Sequence, residues 1–454
     1  MRYRPIPIFL TIASMALMTG PVMAATSGVS VYTFAPEGLA AASNKALAGS
    51  VSNDYGILLG GSSDLYRVPG KPAEYWTVTD RGPNVDTVMT GGAAGLGFAV
   101  PGFSPLIMKV SVTGQTVSFT DKIAVQSVKG VGVTGLPNIA GYDSIPTNVS
   151  GVPIGYNPNG LDAEGVVRTA NGDFWLVDEY APSLIQVGPD GVVKSRLVPQ
   201  GWKGTGLSYP VVQALPAVFL NRKVNRGFEA IALSPSEKYL FIGLQSPLLN
   251  PDKKTGDASM QTRILRMNLA TKAIDLEWVH RFEPVETIDA STTKTTELKV
   301  SAMVALNDNL LLVQERTDNA FVVAQVSLSP SQSILGSAYD TSNSPTLESL
   351  KPTDSTLATY APSKSIIFRS TSVPEMPKKV EGMAVENANT LAFTNDNDFA
   401  FTYDAKTDSI KTTGVPLQFL YVTLAQALPT TPDAEVRKIK AAATLTAKSG
   451  TTQR

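Results

Sequence analysis

The feature that most constrains this chain is a short acidic strand opening that recurs along it. Glu164-Gly165-Val166-Val167 is followed, after a turn, by Phe174-Trp175-Leu176-Val177-Asp178-Glu179, and Glu381-Gly382-Met383-Ala384-Val385 by Thr390-Leu391-Ala392-Phe393-Thr394-Asn395-Asp396. From opening Glu to closing Asp these units span 14 and 15 residues. Glu229-Ala230-Ile231-Ala232-Leu233 repeats the opening before Tyr239-Leu240-Phe241-Ile242-Gly243-Leu244-Gln245. A degenerate copy carries Ser301-Ala302-Met303 in place of the acidic opening and runs on to Leu311-Leu312-Val313-Gln314-Glu315-Arg316. The earliest copy pairs Gly60-Gly61-Ser62-Ser63-Asp64-Leu65-Tyr66 with Trp76-Thr77-Val78-Thr79-Asp80-Arg81. The runs are rich in β-branched and aromatic residues and are bounded by turn formers, which reads as short strands. A unit that opens with a short strand, turns, and continues with further strands behaves as a propeller blade. Five copies about 65 to 100 residues apart predict an all-β fold, a β-propeller of five or six blades with long loops.

The ends of the chain read differently. Arg2 and Arg4, the apolar stretch Phe9 to Met18 and the small residues of Val22-Met23-Ala24 form an expected signal peptide over residues 1–24, about half the length of a membrane span. The propeller domain is expected over residues 29–424, with a polar inserted loop at 327–365 and a polar C-terminal tail at 425–454. Within that tail, Asp433 to Leu445 is the one stretch of helical pattern. The expected location is extracytoplasmic, periplasmic or secreted, where Ca²⁺ is available to a carboxylate site of modest affinity. After leader removal 36 Lys and Arg face 39 Asp and Glu, a formal charge of −3 with no basic surplus for nucleic acid. No apolar run of membrane-spanning length follows the leader.

Composition excludes much chemistry. The 454 residues contain no Cys and one His, His280, so thiolate nucleophiles, Cys-ligated metals and HExxH zinc sites are ruled out. No G-x-S-x-G elbow is present, and His280 sits in Trp278-Val279-His280-Arg281-Phe282, which reads as an ordinary strand. Polar chemistry must therefore come from carboxylates, Arg, Lys, hydroxyls or a bound metal.

Equivalent positions on the inner strands of a propeller converge on its central channel. Glu164, Glu229 and Glu381 are expected to share one ring, with Asp80, Asp178, Glu179, Glu315, Asp396 and Asp398 at its mouth. So many carboxylates repel unless hard cations or basic partners sit among them, and Arg81, Arg226, Arg316 and Lys379 adjoin them in sequence. The candidate roles are metal ligation by Asp80, Asp178, Glu179, Glu229, Glu315, Asp396 and Asp398, general base chemistry by Glu164 or Glu381, and phosphate clamping by Arg81, Arg316 or Lys379. The same acids could instead brace neighbouring blades through Arg pairs and backbone N–H groups. Trp76 and Trp175 read as blade core rather than ligand contacts.

Taken together, Asp80-Arg81-Gly82-Pro83-Asn84, Asn159-Gly160-Leu161-Asp162-Ala163-Glu164-Gly165 leading to Trp175-Leu176-Val177-Asp178-Glu179-Tyr180-Ala181-Pro182-Ser183, Asn225-Arg226-Gly227-Phe228-Glu229-Ala230, Leu312-Val313-Gln314-Glu315-Arg316, and Lys379-Val380-Glu381-Gly382 leading to Asn395-Asp396-Asn397-Asp398-Phe399 occur in the order found in a known family. The chain resembles the phytase-like family described as having esterase-like activity, over roughly residues 50 to 405. The resemblance implies a secreted or periplasmic propeller-like domain associated with phytases and esterases. The R-H-G-x-R-x-P signature of histidine acid phosphatases is missing.

Three functions follow as expectations. The first is Ca²⁺-assisted hydrolysis of a small-molecule phosphoester. The second is a metal-free carboxyl-ester hydrolase. The third is a non-catalytic propeller binding a ligand or partner protein, with Ca²⁺ or Arg–Glu pairs only holding the blades together.

Overall fold

A computed structural model describes residues 28–39 and 57–450, with side chains described through 444. The expected signal peptide lies outside the described residues.

Each sequence copy opens one antiparallel sheet. The first contains Tyr66–Arg67, Glu74–Val78, Leu106–Thr113 and Thr116–Ala124. The second runs Ala163–Arg168, Phe174–Asp178, Ser183–Val187 and Val193–Pro199, with Val211–Leu215 added in parallel at its edge. The third comprises Phe228–Leu233, Tyr239–Leu244, Gln261–Asn268 and Ala273–Arg281, and the fourth Lys299–Asn307, Leu310–Arg316, Phe321–Ser327 and Ser363–Arg369. The fifth takes Val380–Asn387, Thr390–Asn395 and Gln418–Thr423, and its outer strand is Val29–Thr33 from the other end of the chain, with Val31 opposite Leu420.

The opening strands touch in chain order, and the last touches the first. Between each adjacent pair of sheets lies one apolar cluster. Trp76 and Phe174 belong to the cluster between blades one and two, Trp175 and Phe228 to that between two and three, Phe241 and Met303 to that between three and four, Leu312 and Met383 to that between four and five, and Tyr75 and Phe419 to that between five and one. The fold is therefore a five-bladed propeller, and burial of these faces against one another holds its ring together. Trp76 and Trp175 are core residues, as the sequence suggests.

Gly follows the opening acid in two blades because neighbouring inner strands come close there. A Cβ on Gly165 would lie 2.9 Å from Ile231 Cγ2 and 3.1 Å from the Glu229 carbonyl, and one on Gly382 would lie 3.0 Å from the Asp64 carbonyl carbon and from Leu65 Cγ of the first blade.

The 327–365 segment is an ordered cover that links two strands of the fourth blade. Its Ile334, Leu347 and Leu357 bury against Val279, and its Glu348 accepts hydrogen bonds from Arg263. The tail forms a helix, Pro432–Gly450, longer than the sequence pattern suggests. No helix among the described residues is long and apolar enough to cross a membrane.

Candidate functional site

In blades two, three and five the opening acid is where strand register slips. The shifts fall between Ala163 and Gly165, Phe228 and Ala230, and Val380 and Gly382, so Glu164, Glu229 and Glu381 are the extra residues. In the fourth blade the slip spans Val300 to Met303 and includes Ser301. A bulge bends the strand and re-aims a side chain. Here the three acids are brought together: one carboxylate oxygen from each of Glu164, Glu229 and Glu381 lies within 4.8 Å of the other two. A second group, Asp162, Glu164 and Glu179, meets the same limit, so Glu164 belongs to both.

Basic residues thread the cluster. Arg81 pairs with Asp162 at 2.6 Å and Glu179 at 3.5 Å. Arg316 bridges Glu229 and Glu381 and donates to Ser301 Oγ. Gln245 donates from Nε2 to Glu179 and Glu229. Lys379 pairs with Asp396 at 3.0 Å and Asp398 at 2.5 Å, and Lys299 with Asp318 at 2.7 Å. Glu164 is buried and makes no hydrogen bond or ion pair to another described residue.

Electrostatics follow from this pairing. Burial raises the Glu164 carboxyl well above its ordinary range, and Asp162, Glu229, Glu179 and Glu381 all push the same way. Burial also raises Glu381, against the pull of Arg316, to about 8. Asp80 reaches about 7 through burial and the nearby Asp396 charge. Burial pushes Asp396 up, but Lys379, the Asp398 N–H and the Arg316 charge together outweigh it and lower that carboxyl.

Thus the structure brings Glu164, Glu381, Arg81 and Arg316 together, with Glu179 and Glu229 among the acids. Asp80, Lys379, Asp396 and Asp398 sit beside this centre, outside the two close carboxylate groups. Asp178 and Glu315 do not join it, a correction to their expected ligand role. Successive strand residues point to opposite faces, so when Glu179 and Arg316 enter the cluster their neighbours turn away. Asp178 is buried in an ion pair with Arg196 and accepts the backbone N–H of Asp162 at 3.0 Å. Glu315 lies 3.1 Å from His280 and 2.8 Å from Lys364 and accepts the Glu283 N–H. His280, on its expected strand, thus has a carboxylate partner that the sequence did not reveal.

Four contributors escape the sequence reading. Asp162 stands two residues before Glu164, a spacing that could have flagged it. Gln245 and Ser301 replace acids at their blade positions. Asp64 lies beside the opening of blade one as Glu164 does in blade two, and it accepts the Val166 N–H at 2.9 Å; aligning Asp64-Leu65 with Glu164-Gly165 would have found it.

A propeller whose inner strands place a compact carboxylate cluster among Arg and Lys defines the class. The chain belongs to the phytase-like family described by the esterase-like activity of phytase, whose model matches residues 57–399. The family supports a hydrolase-like function. Comparison with curated protein sequences gives no match. Among solved structures, a luciferin-regenerating enzyme aligns at 10% identity over 90% of this chain and 99% of its own, with a TM-score of 0.33. A PQQ-bound aldose sugar dehydrogenase from Streptomyces coelicolor aligns at 9% identity over 88% and 100%, with a TM-score of 0.31. A gluconolactonase from Xanthomonas campestris aligns at 10% identity over 89% and 99%, with a TM-score of 0.29. At these scores the likeness says nothing about chemistry.

Proposed function

We propose that the carboxylate cluster is the centre of a Ca²⁺-assisted phosphoester hydrolase acting on a small molecule outside the cytoplasm. Glu164 carries this reading: a buried carboxylate shared by two acidic groups, without a basic partner of its own, is costly unless a cation joins it. The donor set fits such an ion, because every candidate ligand is a hard carboxylate oxygen and Ca²⁺ gathers oxygens at about 2.3–2.6 Å. Asp162, Glu164 and Glu179 would hold it. Bound Ca²⁺ would supply charge neutralisation and Lewis-acid polarisation at a phosphoryl oxygen.

The chain's own groups divide the remaining work. Arg81, Arg316 and Lys379 are each committed to acids and hold those acids in place, which revises their expected role as phosphate clamps. Arg226 is different. It donates to Ser246 Oγ at 3.2 Å and makes no ion pair with a described residue, while its charge is felt at Glu179 and Lys299. Among the described basic residues beside the cluster, Arg226 is therefore free to bind and orient a phosphoryl oxygen. Glu381, with its carboxyl at about 8, is suited to proton transfer near neutral pH.

The test is paired. Melting temperature and phosphate release from phytate and an aryl phosphate are measured with Ca²⁺ and with chelator, on the natural sequence and on Glu164→Gln. Calcium should raise both melting temperature and release, and the substitution should remove both effects. A melting shift with every phosphoester left intact would make the ion a blade brace and sink the reading. Chelator-resistant hydrolysis of aryl acetates would favour the carboxyl-ester alternative.

A further inference from the structure

We infer that the opposite end of the channel is a second ligand site, suited to a small carboxylate with an apolar body. A cavity of about 610 Å³ lies there, lined by residues from the inner strands of all five blades and by the helix Pro432–Gly450. That volume falls within the roughly 300–1,000 Å³ of small-molecule sites. None of the residues in the two close carboxylate groups lines it.

Its walls are mainly apolar: Tyr66, Trp76, Val166, Ile231, Met303 and Ala384 face it from the blades. Helix residues Val436 and Ile439 add to one side.

The polar groups differ in how far they are satisfied. Arg67 is neutralised by Glu386 at 2.9 Å and Asp433 at 2.5 Å. Glu237 accepts the Ala170 N–H at 3.0 Å. Arg168 has no carboxylate partner among the described residues. Its guanidinium lies 4.9 Å from the ring centres of both Trp76 and Phe174, and its Nε donates only to the Gly172 carbonyl at 3.3 Å. The Tyr66 hydroxyl bonds no described residue, and Lys440 at the rim makes no ion pair with one. The unspent groups are thus donors and cations set among apolar walls. A carboxylate end would meet Arg168 and Tyr66 while the apolar body fills the space beside Trp76 and Met303.

The fluorescent aromatic anion 8-anilinonaphthalene-1-sulfonate serves as probe on the full chain, with octanoate and octanol as competitors. We expect one saturable site per chain, displaced by octanoate at least tenfold more effectively than by octanol. Arg168→Gln should weaken octanoate at least tenfold and leave octanol unchanged. Met303→Trp, which fills the cavity, should abolish probe binding, and melting curves report whether each variant is folded. Should Met303→Trp fail to fold, Arg168→Gln with Tyr66→Phe still decides. Non-saturable fluorescence, equal displacement by octanol, or an unaltered octanoate affinity in Arg168→Gln would overturn the proposal.

Discussion

The same five blades build both ends of the channel, yet the ends differ in kind. At one end the opening residues are carboxylates and their basic partners, most of them fixed in ion pairs. At the other, residues two to four positions further along the same strands, Val166, Ile231, Leu233 and Met303, are apolar, and a helix lies across them. Period-two alternation and the bulge let one short strand serve both regions. Charge therefore organises one end, and apolar contact the other.

Arg316→Met should test this division most severely. It leaves Glu229 and Glu381 buried without their shared cation, and breaking such a pair costs about 3–5 kcal/mol. Denaturant unfolding in chelator should show the loss, and added Ca²⁺ should recover part of it. Equal stability of the two proteins in chelator would show that the acids do not depend on Arg316.

Glu315 marks the boundary of the charged region. Burial pushes its carboxyl up, but the His280 hydrogen bond and charge and the Lys364 charge outweigh this and bring it to about 2. A depressed carboxyl stabilises the fold above its unfolded value near 4.5 and loses that contribution as pH falls through its folded value. The contribution is on the order of 3 kcal/mol. Unfolding measured from pH 5 to about 2 should fall less steeply in Glu315→Gln; parallel profiles would count against the pairing.

Arg226→Ala sharpens the contrast between paired and free cations. Phosphate release should fall roughly tenfold to thirtyfold, mainly through KM, while the Ca²⁺-dependent melting shift stays intact. A lost calcium response would place Arg226 in the ion's support instead. The smallest effect belongs to the far end. Asp433→Asn removes one of two acids on a part-exposed Arg67, and melting should register less than about 1 kcal/mol. A larger loss would show that the helix is held chiefly by this charge.

The repeated Glu-Gly and Glu-Ala openings made the blades and the shared position of Glu164, Glu229 and Glu381 legible in the sequence. The facing of adjacent acids was not legible. Asp178-Glu179 and Glu315-Arg316 each place two polar residues together, and only strand register decides which enters the cluster. Pairing of Arg81 and Lys379 with acids was one of the sequence's two readings; which acids each takes was hidden, because Asp162 and Glu179 reach Arg81, and Asp396 and Asp398 reach Lys379, only in three dimensions. Asp64 escaped for a different reason: its copy was legible, but it reads Asp64-Leu65 where the other openings read Glu-Gly or Glu-Ala, and its strand, Tyr66–Arg67, starts only after the acid.

The pairing of Val29–Thr33 with Gln418–Thr423 joins segments nearly four hundred residues apart. Loop-closure entropy grows only logarithmically with such a separation, so the join is tolerable for the finished chain. Its position matters more for assembly. Until the fifth sheet receives that strand, Gln418–Thr423 presents an open edge, and open edges invite pairing with other chains. The sheet awaiting its last strand also carries Glu381, Lys379 and Asp396. A chain deprived of Val29–Thr33 would thus carry both an aggregation-prone border and a weakened wall of the carboxylate cluster.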